Sequence, residues 1–493
     1  MINPSIFHNR CKKQQKSTVV YLSRTVAHFY WSLALILGLS SCTPPGGNQK
    51  IPQVKLTVRN TLQIQRKNVP IVISLNELQR VAPDFSFDAY LVVSGQPPTE
   101  IDSQVDDTNY DGKKDELVFL VDLEPQETKE VSIRYSPDNP MSVTIGFTKR
   151  TRAGIFPELN GFAALESEFA AYLLKHNGSI QAYGKRRRLL FNIESHFQSY
   201  LNDPFSISAE LLKTFENNGA PLSQNTALEI QKPDTSWLIA DKTNKQTYFV
   251  RKESGRLNIY KAEGLSLDRL VYQTTAPSDA NGEFMKPLIP VEGAIGCGGF
   301  ALWDKTNRKL IEPLDTTDYV RVLADGPVRS VVQRLIPDWQ LKNGTIQFTS
   351  TFSVYAGNRW IEHRINVQGL TSEYLIATGI PNLGAGAVKN KVDGWLSTWG
   401  EQNTGIGMGM IFPADAVESF QDLTPQDSEK SVLAALMRPS EGGEVAYRFL
   451  SVWSADLEGI QTKAEFEAYI QNALTQMHTP PVIQFLPQTE KEN

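Results

Sequence analysis

The chain has 493 residues, 41% hydrophobic and 21% charged, with 49 Lys and Arg against 54 Asp and Glu. That length accommodates two or three core-forming units, and the composition excludes disorder, collagen-like sequence and coiled coil. Residues 1–42 hold Arg10, Lys12, Lys13, Lys16 and Arg24 and no acid, leaving 44 basic against 54 acidic residues in the remainder; so acidic a body lacks the footprint of a nucleic-acid binder.

Behind the basic stretch runs an apolar segment, Phe29-Tyr30-Trp31-Ser32-Leu33-Ala34-Leu35-Ile36-Leu37-Gly38-Leu39. It is about half the ~20 residues that a bilayer-spanning helix requires. A basic region, a short apolar core and small residues follow one another in the order of an export signal. The segment closes on Leu39-Ser40-Ser41-Cys42, which resembles the bacterial lipobox. That resemblance makes residues 1–42 a lipoprotein signal and implies that Cys42 receives a lipid and becomes the mature N-terminus. Residues 43–50, rich in Pro and Gly, read as a flexible tether. No second long apolar run follows, so the mature body is expected in water at a membrane surface, on the periplasmic side or the cell surface. Of the three cysteines, Cys11 falls in the signal and Cys42 carries lipid, which leaves Cys297 alone. A disulfide framework and a cysteine zinc site are thereby excluded. Cys297, inside Gly296-Cys297-Gly298-Gly299, reads as a small buried filler rather than a nucleophile.

From residue 51 the hydrophobic pattern has period two. Val54, Leu56 and Val58 alternate with Lys55, Thr57 and Arg59, and Val131, Ile133 and Tyr135 alternate with Ser132 and Arg134. Leu117 to Leu123 is almost continuously apolar, as in a strand covered on both faces. Residues 51–145 therefore predict a small β-sandwich. Residues 146–493 keep the habit, as in Ile346 to Val354, with Gly-Asn, Asn-Gly and Asp-Gly turns between runs. They predict a large assembly of antiparallel sheets. The convincing helix comes late. Thr462-Lys463-Ala464-Glu465 is a capping box, Phe466, Ile470, Ala473, Leu474 and Met477 form one stripe, and Pro480-Pro481 ends it.

Five stretches carry side chains suited to chemistry. In residues 107–115, Asp107, Asn109, Asp111 and Asp115 take positions one, three, five and nine of a calcium-type loop, with Gly112 at six. Val118 at twelve means the EF-hand is incomplete, so the loop reads either as a structural Ca²⁺ site or as a hairpin turn. Leu165-Glu166-Ser167-Glu168-Phe169 looks like strand, which would set Glu166 and Glu168 on one face about 6.5 Å apart, near the separation used on glycosidic bonds. Tyr183-Gly184-Lys185-Arg186-Arg187-Arg188 is the dense basic cluster of the acidic body, with Glu194, His196 and Tyr200 shortly after. Such a set could neutralise a sugar carboxylate and move the neighbouring proton, or it could be a basic turn paired with local acids. Along Trp360 to Val367, His363 falls on the apolar face as a core histidine, while Trp360, Glu362 and Arg364 share the other face as a sugar platform would. Trp395, Trp399 and Glu401 have the same character, although core packing is the commoner use of Trp. Walker A, HExxH, G-x-S-x-G and a complete G-x-G-x-x-G are absent.

Taken in order, several stretches resemble a bacterial lipoprotein family known as domain of unknown function 4861, typical of polysaccharide-utilisation loci of Bacteroidota. They are Asp111 to Phe119, Leu165 to Tyr172, Tyr183 to Arg186, Gly296 to Trp303, Leu323 to Arg329 and the C-terminal helix. The resemblance implies a β-supersandwich similar to galactose-mutarotase-like domains and action on an acidic glycan. Family members usually carry a His/Asp/Glu-rich stretch before the Gly-rich turn, whereas Asn281 to Leu288 here has no His. The expectation is a lipid-anchored exported protein acting on a uronate-containing oligosaccharide by lyase or hydrolase chemistry. Its catalytic set would be Glu166, Tyr183, Lys185, Arg186, Glu194 and His196, its substrate-binding set Trp360, Glu362, Arg364, Trp395 and Trp399. The alternative, favoured by the missing histidines, is a non-catalytic glycan-binding lipoprotein on the same fold.

Overall fold

Residues 51–136, 147–155, 163–186, 188, 190, 285–289, 293–314, 316–384, 387–400, 405–423, 431–456 and 459–487, with the backbone of five strands between 228 and 275, are described by the computed structural model. Cys42, Glu194 and His196 lie outside these residues.

Strand Gln53–Arg59 buries Val54, Leu56 and Val58 and leaves Lys55 and Thr57 at its other face, since side chains leave a strand alternately. It pairs antiparallel with Thr128–Tyr135, Val54 opposite Ile133 and Leu56 opposite Val131. A three-stranded sheet of Arg66–Ser74, Glu116–Leu123 and Ser103–Asp106 completes the sandwich. Its Ile71, Ile73, Leu117 and Phe119 join the same core. Helix α1 (Leu75–Val81) adds Leu78 to it. The Ser74–Glu77 capping box that starts α1 is a signal that period-two patterning passes over. Glu116–Leu123 is apolar on both faces for a physical reason. Leu117, Phe119 and Val121 face the sandwich, while Val118 and Leu120 pack on Val328, Tyr355 and Ala356 of the larger part. The last strand, Val482–Phe485, returns to pair with Gln53–Arg59, and residues 52–493 form one compact unit.

The larger part is a β-supersandwich. An eight-stranded antiparallel sheet runs, in spatial order, through Tyr319–Asp325, Arg329–Leu341, Gly344–Tyr355, Trp360–Gln368, Glu444–Trp453, Ile406–Ile411, Trp395–Gly400 and Val388–Asn390. One five-stranded sheet orders Met285–Pro287, Ile180–Lys185, Ala170–Leu174, Ala163–Ser167 and Thr151–Gly154; a second orders Lys309–Ile311, Ala301–Asp304, Tyr374–Pro381, Val432–Met437 and Val417–Leu423. The three share one core, to which they contribute Phe348 and Phe449, Leu165 and Tyr172, and Ile376 and Leu433. The strands between 228 and 275 make a separate five-stranded meander.

Helix α2 (Lys463–His478) starts at the expected capping box and buries Phe466, Ile470, Ala473 and Leu474. They pack on Trp395, Trp399 and Leu450 of the eight-stranded sheet. Gly407 and Gly409 admit this helix, since Cβ atoms there would stand 2.8 Å from Phe466 and 2.6 Å from Ile470.

Candidate functional site

The meander Ala163–Ser167, Ala170–Leu174, Ile180–Lys185 sends Leu165, Tyr172, Ile180 and Ala182 into the main core. Alternation therefore sends Glu166, Tyr183 and Lys185 to its other face. The register aligns Glu166, Ala171 and Tyr183 in one row, with Glu166 and Tyr183 roughly 10 Å apart across two strand spacings. Lys185 reaches back along this face. Its Nζ donates to Glu166 Oε1 at 3.1 Å and to the Ser167 carbonyl at 2.7 Å. The two side chains are 0% and 4% exposed. Burial lowers the Lys185 pKa from the ordinary amine value, and the Glu166 carboxylate opposes that shift. Burial likewise pushes the Tyr183 hydroxyl up, which keeps that phenol protonated and unsuited to take a proton from substrate.

Glu168 lies just past the end of the strand that carries Glu166. The strand ends at Ser167, whose Oγ accepts the N–H groups of Phe169 and Ala170 at 3.2 and 3.3 Å and so closes the turn. Glu168 pairs with the Arg150 guanidinium and accepts the Gly357 N–H at 2.7 Å, and its charge also acts on Lys185. Each carboxylate is ion-paired with a cation of its own, Glu166 with Lys185 and Glu168 with Arg150.

Asp456, a residue with no local signature of function, ties the site together. Its Oδ1 accepts the Lys185 N–H at 2.8 Å, and its Oδ2 accepts the Trp453 N–H and an Arg359 guanidinium N–H, both at 3.0 Å. Burial pushes the Asp456 carboxyl up to about 6, with Arg359 and the amide donors working against it. At the rim, the exposed Arg186 lies 4.8 Å over the Trp453 ring. The exposed Arg188 lies 4.9 Å over Phe169, which also carries Arg359 at 5.0 Å. Aromatic faces thus hold guanidiniums in place beside a buried ionic network. Such an arrangement can present planar, bidentate donors to a carboxylate. Arg150, Phe169, Arg359, Trp453 and Asp456 were not singled out from sequence, because Arg359 and Asp456 meet across 97 residues of chain.

The other candidates lie elsewhere. Trp360, Glu362 and Arg364 do share the outward face of their strand. There Glu362 pairs with Arg364 at 3.2 Å and Arg448 at 3.1 Å, and Arg448 covers the Trp360 ring at 5.3 Å. Trp395 and Trp399 are buried beneath α2, so their rings serve packing. Loop 107–115 is knitted by its own carboxylates. Asp107 accepts the N–H groups of Asp111 and Gly112 at 3.1 and 2.8 Å, and Asp115 that of Thr108 at 3.1 Å. Asn109 Oδ1 accepts the Asp111 N–H at 2.9 Å, and Asp111 the Lys113 N–H at 2.8 Å. Among the described residues no group of three or more His, Cys, Asp or Glu is placed to hold a metal ion.

Two reactive side chains are used for structure. His363 stacks on Phe352 at 4.0 Å between Ser350 Oγ at 2.8 Å and Tyr447 Oη at 2.6 Å. Burial drives its pKa down to about 3. Cys297 is wholly buried, its thiol pushed up to about 12 by desolvation, which withholds the thiolate needed for nucleophilic attack.

The family model for "Domain of unknown function (DUF4861)" matches residues 58–169 and 289–483. Tyr183, Lys185 and Arg186 fall in the interval between the two matched segments. No curated protein matches the chain. Among solved structures, a protein in glycosyl hydrolase family 38 from Enterococcus faecalis is similar at 10% identity and a TM-score of 0.44, covering 90% of this chain and 48% of that one. An α-mannosidase from Enterococcus faecalis is similar at 10% identity and a TM-score of 0.43, with 89% and 46% covered. An α-N-acetylgalactosaminidase from Bifidobacterium bifidum follows at 8% identity and a TM-score of 0.27, with 50% and 39% covered. The chain spans about half the length of the first two structures and less of the third.

Proposed function

This chain belongs to the family of domain of unknown function 4861, and from that premise we propose that it is an exported lipoprotein that recognises a uronate-containing oligosaccharide at the Arg186–Asp456 cluster. One observation carries the reading. Arg186 and Arg188 are exposed guanidiniums held on Trp453 and Phe169, and no carboxylate among the described residues pairs with Arg186. A uronate carboxylate meets a forked donor there, and the half-buried Phe169 offers apolar contact to the sugar ring, while the buried Trp453 holds Arg186 from beneath. Behind the rim, the Lys185–Glu166 pair and the Asp456–Arg359 pair keep the strand ends in place.

Catalysis by lyase or hydrolase chemistry is the second reading, favoured by Asp456. Its carboxyl accepts the N–H groups of Lys185, Trp453 and Arg359 and so would hold the Arg359 guanidinium in place beside the reacting sugar. In that reading Arg186 neutralises the substrate carboxylate, and Glu194 and His196 carry the proton transfers. A panel of acidic and neutral oligosaccharides tests both. Calorimetric titration reports binding, and absorbance of unsaturated uronate or release of reducing ends reports turnover. Acid-selective binding without turnover supports recognition alone, turnover supports the enzyme, and equal binding of neutral sugars removes both. The membrane anchor is a separate proposal, for which Cys42→Ser is expected to move the protein from the membrane to the soluble fraction.

A further inference from the structure

The outward face of the eight-stranded sheet carries a second chemistry, built from residues other than those of the first site. On strand Trp360–Gln368, Ile361 and His363 point into the core while Trp360, Glu362 and Arg364 point out. The antiparallel register aligns Arg321 with Gln333, Gln333 with Thr351, and Thr351 with Arg364. Side chains at paired positions share a face, so these four form a row across the sheet. They also touch in sequence. Arg321 Nε donates to Gln333 Oε1 at 2.9 Å, and Gln333 Nε2 lies 3.4 Å from Thr351 Oγ1. The row continues through the Arg364–Glu362–Arg448 ion pairs on the next two strands.

An aromatic ring closes each end. Tyr110, 58% exposed at the tip of loop 107–115, stacks 4.7 Å from the Arg321 guanidinium. Trp360 stacks on Arg448 at the other end. The ribbon crosses five strands, roughly 19 Å at four strand spacings. It carries Arg321, Arg364 and Arg448 against Glu362, with Glu444 near enough to act on Arg364, and so is net positive although the body as a whole is acidic.

We propose that this ribbon is a second carbohydrate site, a surface that holds one chain of an anionic polysaccharide across the strands. Length, polarity and charge agree on that occupant. A polymer of uronate residues offers repeated carboxylates to Arg321, Arg364 and Arg448, hydroxyls to Gln333 and Thr351, and ring faces to Tyr110 and Trp360. Glu362 orients two of the arginines from below, which limits the side-chain entropy lost on binding. No residue of the ribbon belongs to the Arg186–Asp456 cluster, so the two readings stand separately.

Native electrophoresis through gels containing polygalacturonate, alginate or hyaluronate, with dextran as the neutral control, tests the proposal. At least one uronate polymer is expected to retard the wild-type protein, and dextran is not. Arg364→Ala, at a side chain 59% exposed, and Tyr110→Ala should each weaken retardation about 10-fold while the melting temperature stays unchanged. Arg186→Ala separates the sites, since retardation by polymer should survive it even where binding of a short uronate oligosaccharide is lost. Equal retardation by dextran, failure of all three uronate polymers, or full binding by both Arg364→Ala and Tyr110→Ala would overturn the ribbon. Loss in Arg186→Ala alone would assign the polymer to the first site instead.

Discussion

Replacing Lys185 with Met keeps most of the side-chain volume and removes the charge that faces Glu166. The carboxylate left behind is 4% exposed, and the Ser167 carbonyl loses its donor at 2.7 Å. Breaking a buried ion pair from one side costs about 3–5 kcal/mol, because the remaining charge stays desolvated and unpaired. For a body of this size, unfolding entropy near 2.1 cal/mol/K per residue sums to about 0.9 kcal/mol/K. The expected fall in melting temperature is therefore about 3–6 °C. Removing both partners should undo most of it, since an apolar pair of similar volume is often neutral or stabilising by about 1–4 kcal/mol. Differential scanning calorimetry at pH 7 on Lys185→Met, Glu166→Leu and the double variant measures the coupling. A single-variant loss below about 1 °C, or a double variant less stable than either single one, would refute the view that this pair is a buried electrostatic lock.

Three further outcomes follow from other parts of the molecule. His363 has its pKa lowered to about 3 by burial, against about 6.5 unfolded, so its contribution is fully present above about pH 6.5. It is lost as pH falls towards 3, by up to about 1.4 kcal/mol per pH unit; His363→Gln should flatten acid unfolding profiles in that window, and an unchanged slope would count against the assignment. Arg329 joins the two parts of the fold by pairing with Asp106 at 2.6 Å and Glu116 at 2.8 Å; Arg329→Met should cost about 3–5 kcal/mol in urea unfolding, and Arg329→Lys should not fully restore it because the forked geometry is lost. The two readings of loop 107–115 separate by chelation, since a cation bound only by the native state at 100 times its Kd adds about 2.7 kcal/mol; a fall in melting temperature with chelator supports the calcium site, while no response to chelator or added calcium leaves a turn held by its own amide bonds.

The strands were legible wherever one face is buried and the other wet, because burial then imposes period two, as in Gln53–Arg59 and Gly344–Tyr355. Helix α2 was legible from its cap and stripe together. Helix α1 was not, since its seven residues bury only Leu78 and so present no stripe. The strand reading of 165–169 failed on a turn, where Ser167 takes two amides in its own hydroxyl and ends the strand one residue before Glu168. Trp395 and Trp399 looked like sugar platforms because nothing within their own strand shows that α2, some 60 residues on, will cover them. Lys185 and Glu166 were found by residue type, but their burial and mutual pairing depend on strand register. Asp456 and Arg359 carried no signal at all, since they meet across 97 residues of chain and Asp456 otherwise accepts backbone N–H groups.

The central claim is that the guanidinium rim at Arg186 reads a sugar carboxylate, and tryptophan fluorescence during oligosaccharide titration tests it most directly. Trp453 lies beneath Arg186 at 4.8 Å and should report occupancy of the rim. A short uronate oligosaccharide is expected to change the emission saturably, and its neutral, carboxyl-reduced counterpart is not. Loss of one charged hydrogen-bonding group at about 1.5–3 kcal/mol corresponds to roughly 10- to 150-fold weaker binding in Arg186→Ala. Equal affinity for the acidic and reduced sugars, or an affinity unchanged in Arg186→Ala, would contradict the account.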